Sequence, residues 1–233
     1  MIYKKGENIL SKKLYLSDWG IVGEKTKTNE IFAKIESDFM KNQDIPSVYV
    51  KRLWEKYQAL PKKNHNNAMN GNIFEAIITT LLLKEGIEPI YTQASLEFVP
   101  NIDYDIVIFP KNQEGIVDVS APIVLSLKTS LRERYKQADL EGIALKEVYK
   151  RALSYLITLD EETELVKFKK KVEEKDIRGI DACLNATSEE FDELIKNIKS
   201  NDVSVPPEIR AVKEAKIISN GRKDDIKDGI QSN

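Results

Sequence analysis

The sequence predicts a mixed α/β fold in which one central mixed sheet is flanked by helices. Three short apolar runs follow one another closely over residues 89–128, and turn-forming Pro, Asn and Gly separate them, as in strands joined by tight links. Amphipathic helical patterns stand before and after these runs. With 233 residues and 41% hydrophobic content, the chain can bury one sizeable core. We therefore expect a single enzyme-sized unit in which a helical region precedes the sheet.

The first 68 residues are expected to be mainly helical. The stretches TNEIFAKIESDFMKNQ and PSVYVKRLWEKYQAL both repeat apolar residues at helical spacing. The Asn-rich KKNHNNAMNGN is expected to be a loop, and the helix IFEAIITTLLLKEG follows it, with Asn72 as its cap and Gly86 as its terminator. We divide the chain at this loop into an N-terminal helical region, 1–68, and a core region, 69–233.

The strand candidates are PIYTQASLEFV, IDYDIVIF and APIVLSLK, and their short links predict an antiparallel meander. We expect SLRERYKQADLEGIALKEVYKRALSYL to form one long helix, with a further strand beginning at LITL. DEETELVKFKKKVEEKD is expected to be a solvated face, IDACLNA a strand, and SEEFDELIKNIK a capped amphipathic helix. The last 30 or so residues turn polar, which predicts a loosely held tail.

The composition excludes several classes of function. The 36 basic and 38 acidic side chains give a net charge of -2, so a polyanion would have to meet a local cluster of basic residues. The single histidine, His65, argues against a histidine-ligated zinc site or a Ser-His-Asp triad, and the single Cys183 cannot form an internal disulfide. No apolar run approaches the ~18 residues of a membrane span, and the N-terminus lacks a signal-peptide core. We expect a cytoplasmic protein that uses carboxylate and lysine chemistry.

Acidic and basic side chains coincide on two neighbouring strand candidates. Alternation along a strand places Asp103 and Asp105 on one face, and it places Ser126 and Lys128 on one face of the next strand. An acid and a lysine can therefore point into one cleft. Phosphodiester hydrolysis needs such groups, because carboxylates hold Mg²⁺ and an ammonium orients and stabilises the reacting phosphate.

The flanking helices offer two further carboxylates. Glu141 shares a helical stripe with Ala138 and Leu145, which are expected to face the sheet, so Glu141 should lie near the strand ends. Glu75 lies in the apolar helix before the sheet and needs a partner if it is buried. Each has an ordinary alternative: Glu75 would complete a capping box with Asn72, and Glu141 would be a surface residue.

These residues resemble the PD-(D/E)xK nuclease core, in which an acid on one strand is followed by an acid and a lysine on the next. In SLK, Ser126 stands where the second acid is usual. A subgroup of type II restriction endonucleases, including EcoRII, SsoII, PspGI and NgoMIV, shows this departure and takes the missing carboxylate from the next helix. Glu75 and Asp103 are 28 residues apart, Asp103 and Lys128 are 25 apart, and Lys128 and Glu141 are 13 apart. This spacing resembles that of the subgroup.

The resemblance implies a restriction-endonuclease-like fold and a catalytic set of Asp103, Lys128, Glu141 and Glu75. It implies Asp103 rather than Asp105 as the strand acid, with Asp103 and Glu141 as ligands of Mg²⁺.

The same subgroup carries a basic-acidic-basic motif four residues beyond the lysine, where this chain has Arg132, Glu133 and Arg134. Arginine can bond guanine O6 and N7, and a carboxylate can accept from cytosine N4, so the motif can read CC:GG pairs in the major groove. The resemblance implies Mg²⁺-dependent cleavage of double-stranded DNA at a short CCGG, CCNGG or CCWGG type of site. It also implies a homodimer and a methyltransferase that acts on the same site.

Two other functions remain open at this stage. One is a repair or junction nuclease with the same core, and the other is a DNA-binding module whose active site is dead. Among the aromatic residues, Trp54 has core spacing with Leu53 and Tyr57, which predicts packing, while Trp19 in a turn-like setting is the candidate for stacking on a base.

Overall fold

A computed structural model describes residues 16–99, 101–110, 118–131, 134–160, 162–200, 212–219, 222–227 and 230–231. Its centre is an eight-stranded sheet in the order β5-β4-β3-β2-β1-β6-β7-β8. The strands are β1 (Ile90–Leu96), β2 (Tyr104–Ile108), β3 (Ile123–Lys128), β4 (Leu153–Thr158), β5 (Ala182–Asn185), β6 (Val212–Ser219), β7 (Arg222–Lys227) and β8 (Ile230–Gln231).

The sheet is mixed, as the sequence predicts. Strands β1, β2 and β3 form the expected antiparallel meander. Strand β4 then pairs parallel to β3, and β5 pairs parallel to β4. The long connection between β3 and β4 carries a helix, as parallel neighbours require.

Helices cover both faces of the sheet. They are α1 (Lys27–Ile35), α2 (Pro46–Gln58), α3 (Asn67–Lys84), α4 (Arg134–Val148), α5 (Glu162–Glu173) and α6 (Glu189–Ser200). Alternate residues of the central strands point to opposite faces of the sheet. Ile106 and Leu125 belong to the core formed with α1, α2, α3 and α6. Val107 and Val124 pack with Leu145 of α4 on the other face. No helix among the described residues is long and apolar enough to cross a membrane.

The helices before the sheet share this core with the rest of the chain. Ile31 of α1 and Leu53 of α2 are buried in the same cluster as Ile77 of α3. The first turn of α2 is also capped from α6, because the carboxylate of Asp192 accepts hydrogen bonds from the backbone N and Oγ of Ser47, at 2.7 and 2.8 Å. The division of the chain at residue 68 stays a prediction.

Helix α3 begins earlier than the sequence indicates. Asn66 is its cap, since the Asn66 side chain accepts a hydrogen bond from the backbone N of Met69 at 2.8 Å. The expected loop around residues 67–72 is therefore helical, and Gly71 lies inside the helix. The capping-box alternative for Glu75 is consequently wrong, because Glu75 lies in the middle of α3 rather than in its first turn.

Two expectations for the second half of the chain are wrong. The long helix after β3 ends at Val148, and the strand expected from LITL begins earlier, at Leu153, as β4, which lies between β3 and β5 in the sheet interior. Strands buried on both faces read as continuous apolar runs, which periodicity alone does not separate from helices. The tail is not loosely held over residues 212–219, where β6 pairs with β1 and buries Ile217 and Ile218.

Helix α4 touches the segment before β5 through two glycines. A Cβ atom on Gly142 would overlap with the carbonyl of Gly179, and a Cβ atom on Gly179 would overlap with the carbonyl of Asp139. Asp139 fixes the contact, because its Oδ1 accepts hydrogen bonds from the backbone N atoms of Arg178 and Gly179, at 2.9 and 2.6 Å. This contact sets the position of α4 on the sheet.

Replacing Gly179 by alanine is expected to destabilise the fold. The new Cβ atom would clash with the backbone carbonyl of Asp139, which lies in α4 and cannot rotate away as a side chain could. G179A should therefore lower the free energy of unfolding by roughly 1–3 kcal/mol. Gly71 is the matched control, because no atom lies within 4 Å of a Cβ there and alanine favours the helix by about 0.5–1 kcal/mol. Urea unfolding of both variants measures the difference, and equal stabilities would contradict the close contact.

Candidate active site

A lysine and an aspartate meet where β2 begins and β3 ends. The Nζ of Lys128 donates to Oδ2 of Asp105 at 3.0 Å, and the backbone N of Leu127 donates to the same oxygen at 2.7 Å. Their side chains are only 15% and 25% exposed, so solvent screens the pair less than it screens a surface salt bridge. The Asp105 carboxylate is thus oriented by both a charge and a backbone group.

The pairing of β2 with β3 explains why Asp105 meets the lysine strand. Ile106 lies opposite Leu125, so one further step along this antiparallel register brings Asp105 opposite Ser126. Ser126 is the buried residue that stands in place of the usual second acid. Lys128 lies two residues farther along β3, on the same face as Ser126.

Glu75 approaches from α3 on the other face of the sheet. The Nε2 of Gln93 donates a hydrogen bond to Glu75 Oε1 at 3.0 Å. Gln93 has a φ of +49° and lies at a register shift in the pairing of β1 with β6. Burial raises the pKa of Glu75 to about 7, and the charge of Asp105 adds to this rise. The hydrogen bond from Gln93 and the charges of Lys216 and Lys128 act in the opposite direction.

Glu141 approaches from α4. Its Oε1 accepts a hydrogen bond from Gln137 Nε2 at 2.7 Å, and its backbone carbonyl accepts one from the hydroxyl of Tyr104 at 3.1 Å, which ties α4 to β2. Burial raises the pKa of Glu141, and Asp105 also raises it, while Lys128 lowers it. Asp105 and Lys128 therefore act electrostatically on both Glu75 and Glu141, and we call these four residues the carboxylate–lysine cluster.

Asp103 lies outside this cluster. It precedes the first residue of β2, is exposed to solvent, and accepts a hydrogen bond from the hydroxyl of Ser95. Unlike Asp105, it is not among the main charges that shift the pKa of Glu75 or Glu141. The structure thus brings Glu75, Lys128 and Glu141 together with Asp105, the residue that the sequence resemblance passes over.

The structure describes only the last residue of the basic-acidic-basic motif. Arg132 and Glu133 are outside the described residues, and Arg134 is the first residue of α4. The preceding residue in the described chain, Leu131, donates its backbone N–H to Oδ2 of Asp160. The approach to α4 is thereby anchored to the segment that follows β4.

Both tryptophans pack against other rings. Trp54 contacts Tyr57 and Phe74, with ring centroids 5.2 and 6.2 Å apart, which confirms the packing prediction. Trp19 packs against Phe39 at 5.4 Å and against the main core.

The cluster suits a divalent cation. Within the described residues, no three Asp, Glu, His or Cys side chains lie close enough to hold a metal by themselves. Mg²⁺ does not need such a cage, since it keeps several waters and binds one or two carboxylates together with phosphate oxygens. Burial and the charge of Asp105 disfavour the ionised forms of Glu75 and Glu141, and a bound cation would reverse that effect.

Comparison with known proteins finds a matching family model and a similar solved structure. Residues 94–204 match the BsaWI restriction endonuclease type 2 family. The structure is similar to the solved restriction endonuclease PspGI–substrate DNA complex, with a TM-score of 0.51 and 20% sequence identity over 78% of this chain and 84% of that chain. No curated protein sequence matches the chain significantly. The expected fold and the expected resemblance to type II restriction endonucleases are both confirmed.

The raised pKa of Glu75 predicts how the stability of the metal-free protein depends on pH. A carboxyl that holds its proton more tightly when folded stabilises the fold below its ordinary pKa, and this contribution is lost as pH rises toward about 7. Between pH 5 and 8, with EDTA present, the free energy of unfolding should fall by up to about 3 kcal/mol on this account. Urea unfolding at four pH values measures it, and E75Q, which has no proton to lose, should flatten the profile. An equal fall in E75Q would contradict the burial of Glu75.

Proposed function

We propose that this chain is a type II restriction endonuclease that hydrolyses double-stranded DNA at a short specific site with the help of bound Mg²⁺. The match of residues 94–204 to a restriction endonuclease family supports the proposal. The observation that carries the proposal is the carboxylate–lysine cluster, which lies at one end of the central strands. The similarity to a restriction endonuclease solved with its substrate DNA supports the same substrate class.

Each member of the cluster has a role in this proposal. Asp105 and Glu141 would hold the ion, which would supply charge neutralisation and lower the pKa of a water. Lys128 donates hydrogen bonds to the scissile phosphate and positions the attacking water. Glu75 would assist at the ion, directly or through a water. Asp105 takes the role that the sequence resemblance gave to Asp103.

The start of α4 is proposed to read the bases. Arg132, Glu133 and Arg134 follow the lysine strand in sequence, so a DNA duplex held at Lys128 would lie next to the helix N-terminus. Their hydrogen-bonding groups match guanine and cytosine edges, which supports a site containing CC and GG. A two-fold symmetric site matches a homodimer in which each subunit cuts one strand, and a methyltransferase acting on the same site would protect the host DNA.

Digestion of a sequenced plasmid tests the proposal. Wild-type protein with Mg²⁺ should give discrete fragments whose mapped ends share a site with CC and GG, and EDTA should prevent cutting. K128A should bind the same DNA without cutting it. Intact plasmid in the presence of wild-type protein and Mg²⁺ would contradict the nuclease, and fragments with ends at DNA junctions rather than at a sequence would indicate a structure-specific enzyme.

Two isosteric variants separate the two aspartates. D105N should reduce the cleavage rate by roughly a hundredfold or more, the scale of losing one electrostatic contact to the reacting group. D103N should cut within a few-fold of wild type, because Asp103 contacts Ser95 rather than the cluster. Single-turnover cleavage of a duplex carrying the mapped site measures both rates. The reverse ranking would return the catalytic role to Asp103.

A further inference from the structure

A cavity of about 560 Å³ is lined by Glu75 but not by Asp105. Its walls come from residues 21–28, from α3, and from Gln93 and Lys216 of strands β1 and β6. It shares Asn72 and Glu75 with a second cavity, of about 400 Å³, that Asp105 and Leu127 line. The large cavity therefore adjoins the place proposed for the scissile phosphate.

Lys216 of β6 is one of the basic residues that line this cavity. It stands opposite Thr92 in the pairing of β6 with β1, beside Gln93, which donates to Glu75. Its charge lowers the pKa of Glu75, so the ammonium lies within electrostatic range of the cluster. Lys216 is exposed, and on the other side of β6 it lies opposite Asp225 in the pairing with β7.

A second lysine lines the same cavity. The Nζ of Lys27 donates to the backbone carbonyl of Lys63 at 3.2 Å, and this neutral acceptor does not cancel the positive charge. A chain with a net charge of -2 needs such local concentrations of positive charge to hold DNA. The polar side chains of Asn72 and Gln93 add hydrogen-bond donors to the walls.

We propose that this cavity receives a backbone phosphate of the cut strand, next to the scissile phosphate, and that Lys216 is its principal contact. The inference rests on the proposed function, because the strand enters the cavity only if its scissile phosphate lies at Lys128. Lys216 is a positioning residue: it fixes the register of the DNA on the protein, and it reads no base.

Binding measurements in the cleavage-deficient K128A background test the assignment. On a duplex carrying the mapped site, adding K216A should weaken binding roughly tenfold and reduce the slope of log K against log salt by about 1, as expected for one lost phosphate contact. K216R keeps the charge and should restore most of the affinity. K213A is the matched control, since Lys213 is exposed on the same strand and does not line the cavity.

A neutral phosphate identifies the partner directly. A methylphosphonate at one of the two phosphates that flank the scissile phosphate should weaken binding of the protein with Lys216, and it should cause no further loss in K216A. In otherwise wild-type protein, K216A should raise KM while kcat stays within about threefold. Unchanged affinity and salt slope in K216A, or equal methylphosphonate losses with and without Lys216, would overturn the inference. Failure of wild-type protein to cut any DNA would instead overturn the proposed function.

Discussion

The ion pair of Lys128 with Asp105 is the interaction on which the rest of the candidate active site depends. It exists because β2 and β3 pair antiparallel in a register that brings Asp105 opposite Ser126, two residues from the lysine. Oδ2 of Asp105 takes both hydrogen bonds, from Lys128 Nζ and from Leu127 N. A slip of one residue between the strands would turn these side chains to the opposite face.

The two helices add carboxylates at an electrostatic cost. Glu75 comes from α3 on one face of the sheet and Glu141 from α4 on the other, and burial raises the pKa of both. Asp105 adds like charge to each, while Lys128 compensates only in part. Tight packing holds both helices in position. Helix α3 is buried in the main core, and Gly142, the residue after Glu141 in α4, lies in close contact with Gly179. A divalent cation and a DNA phosphate would complete the charge balance.

Much of this arrangement follows from the sequence, and the exceptions have physical causes. The meander and the positions of Lys128 and Glu141 near the strand ends can be predicted, because alternation and helical spacing are local properties, and the family resemblance adds Glu75. The choice between Asp103 and Asp105 cannot, since residue counts along the chain ignore the strand register that decides which acid meets Lys128. The position of Lys216 cannot be predicted either. The polar C-terminal stretch predicts a tail, and only the pairing of β6 with β1 places Lys216 within electrostatic range of Glu75.

The most direct test of the account is where a divalent ion binds. Crystals of the D103N variant with a duplex carrying its site and Mn²⁺, measured at a wavelength where manganese scatters anomalously, would locate the ion without reference to activity. We expect an anomalous peak that both Asp105 and Glu141 coordinate, beside Lys128 and a phosphate oxygen, and we expect D105N to abolish it. A peak in D105N coordinated by Asp103, or a peak on the far side of the sheet from Lys128, would contradict the account.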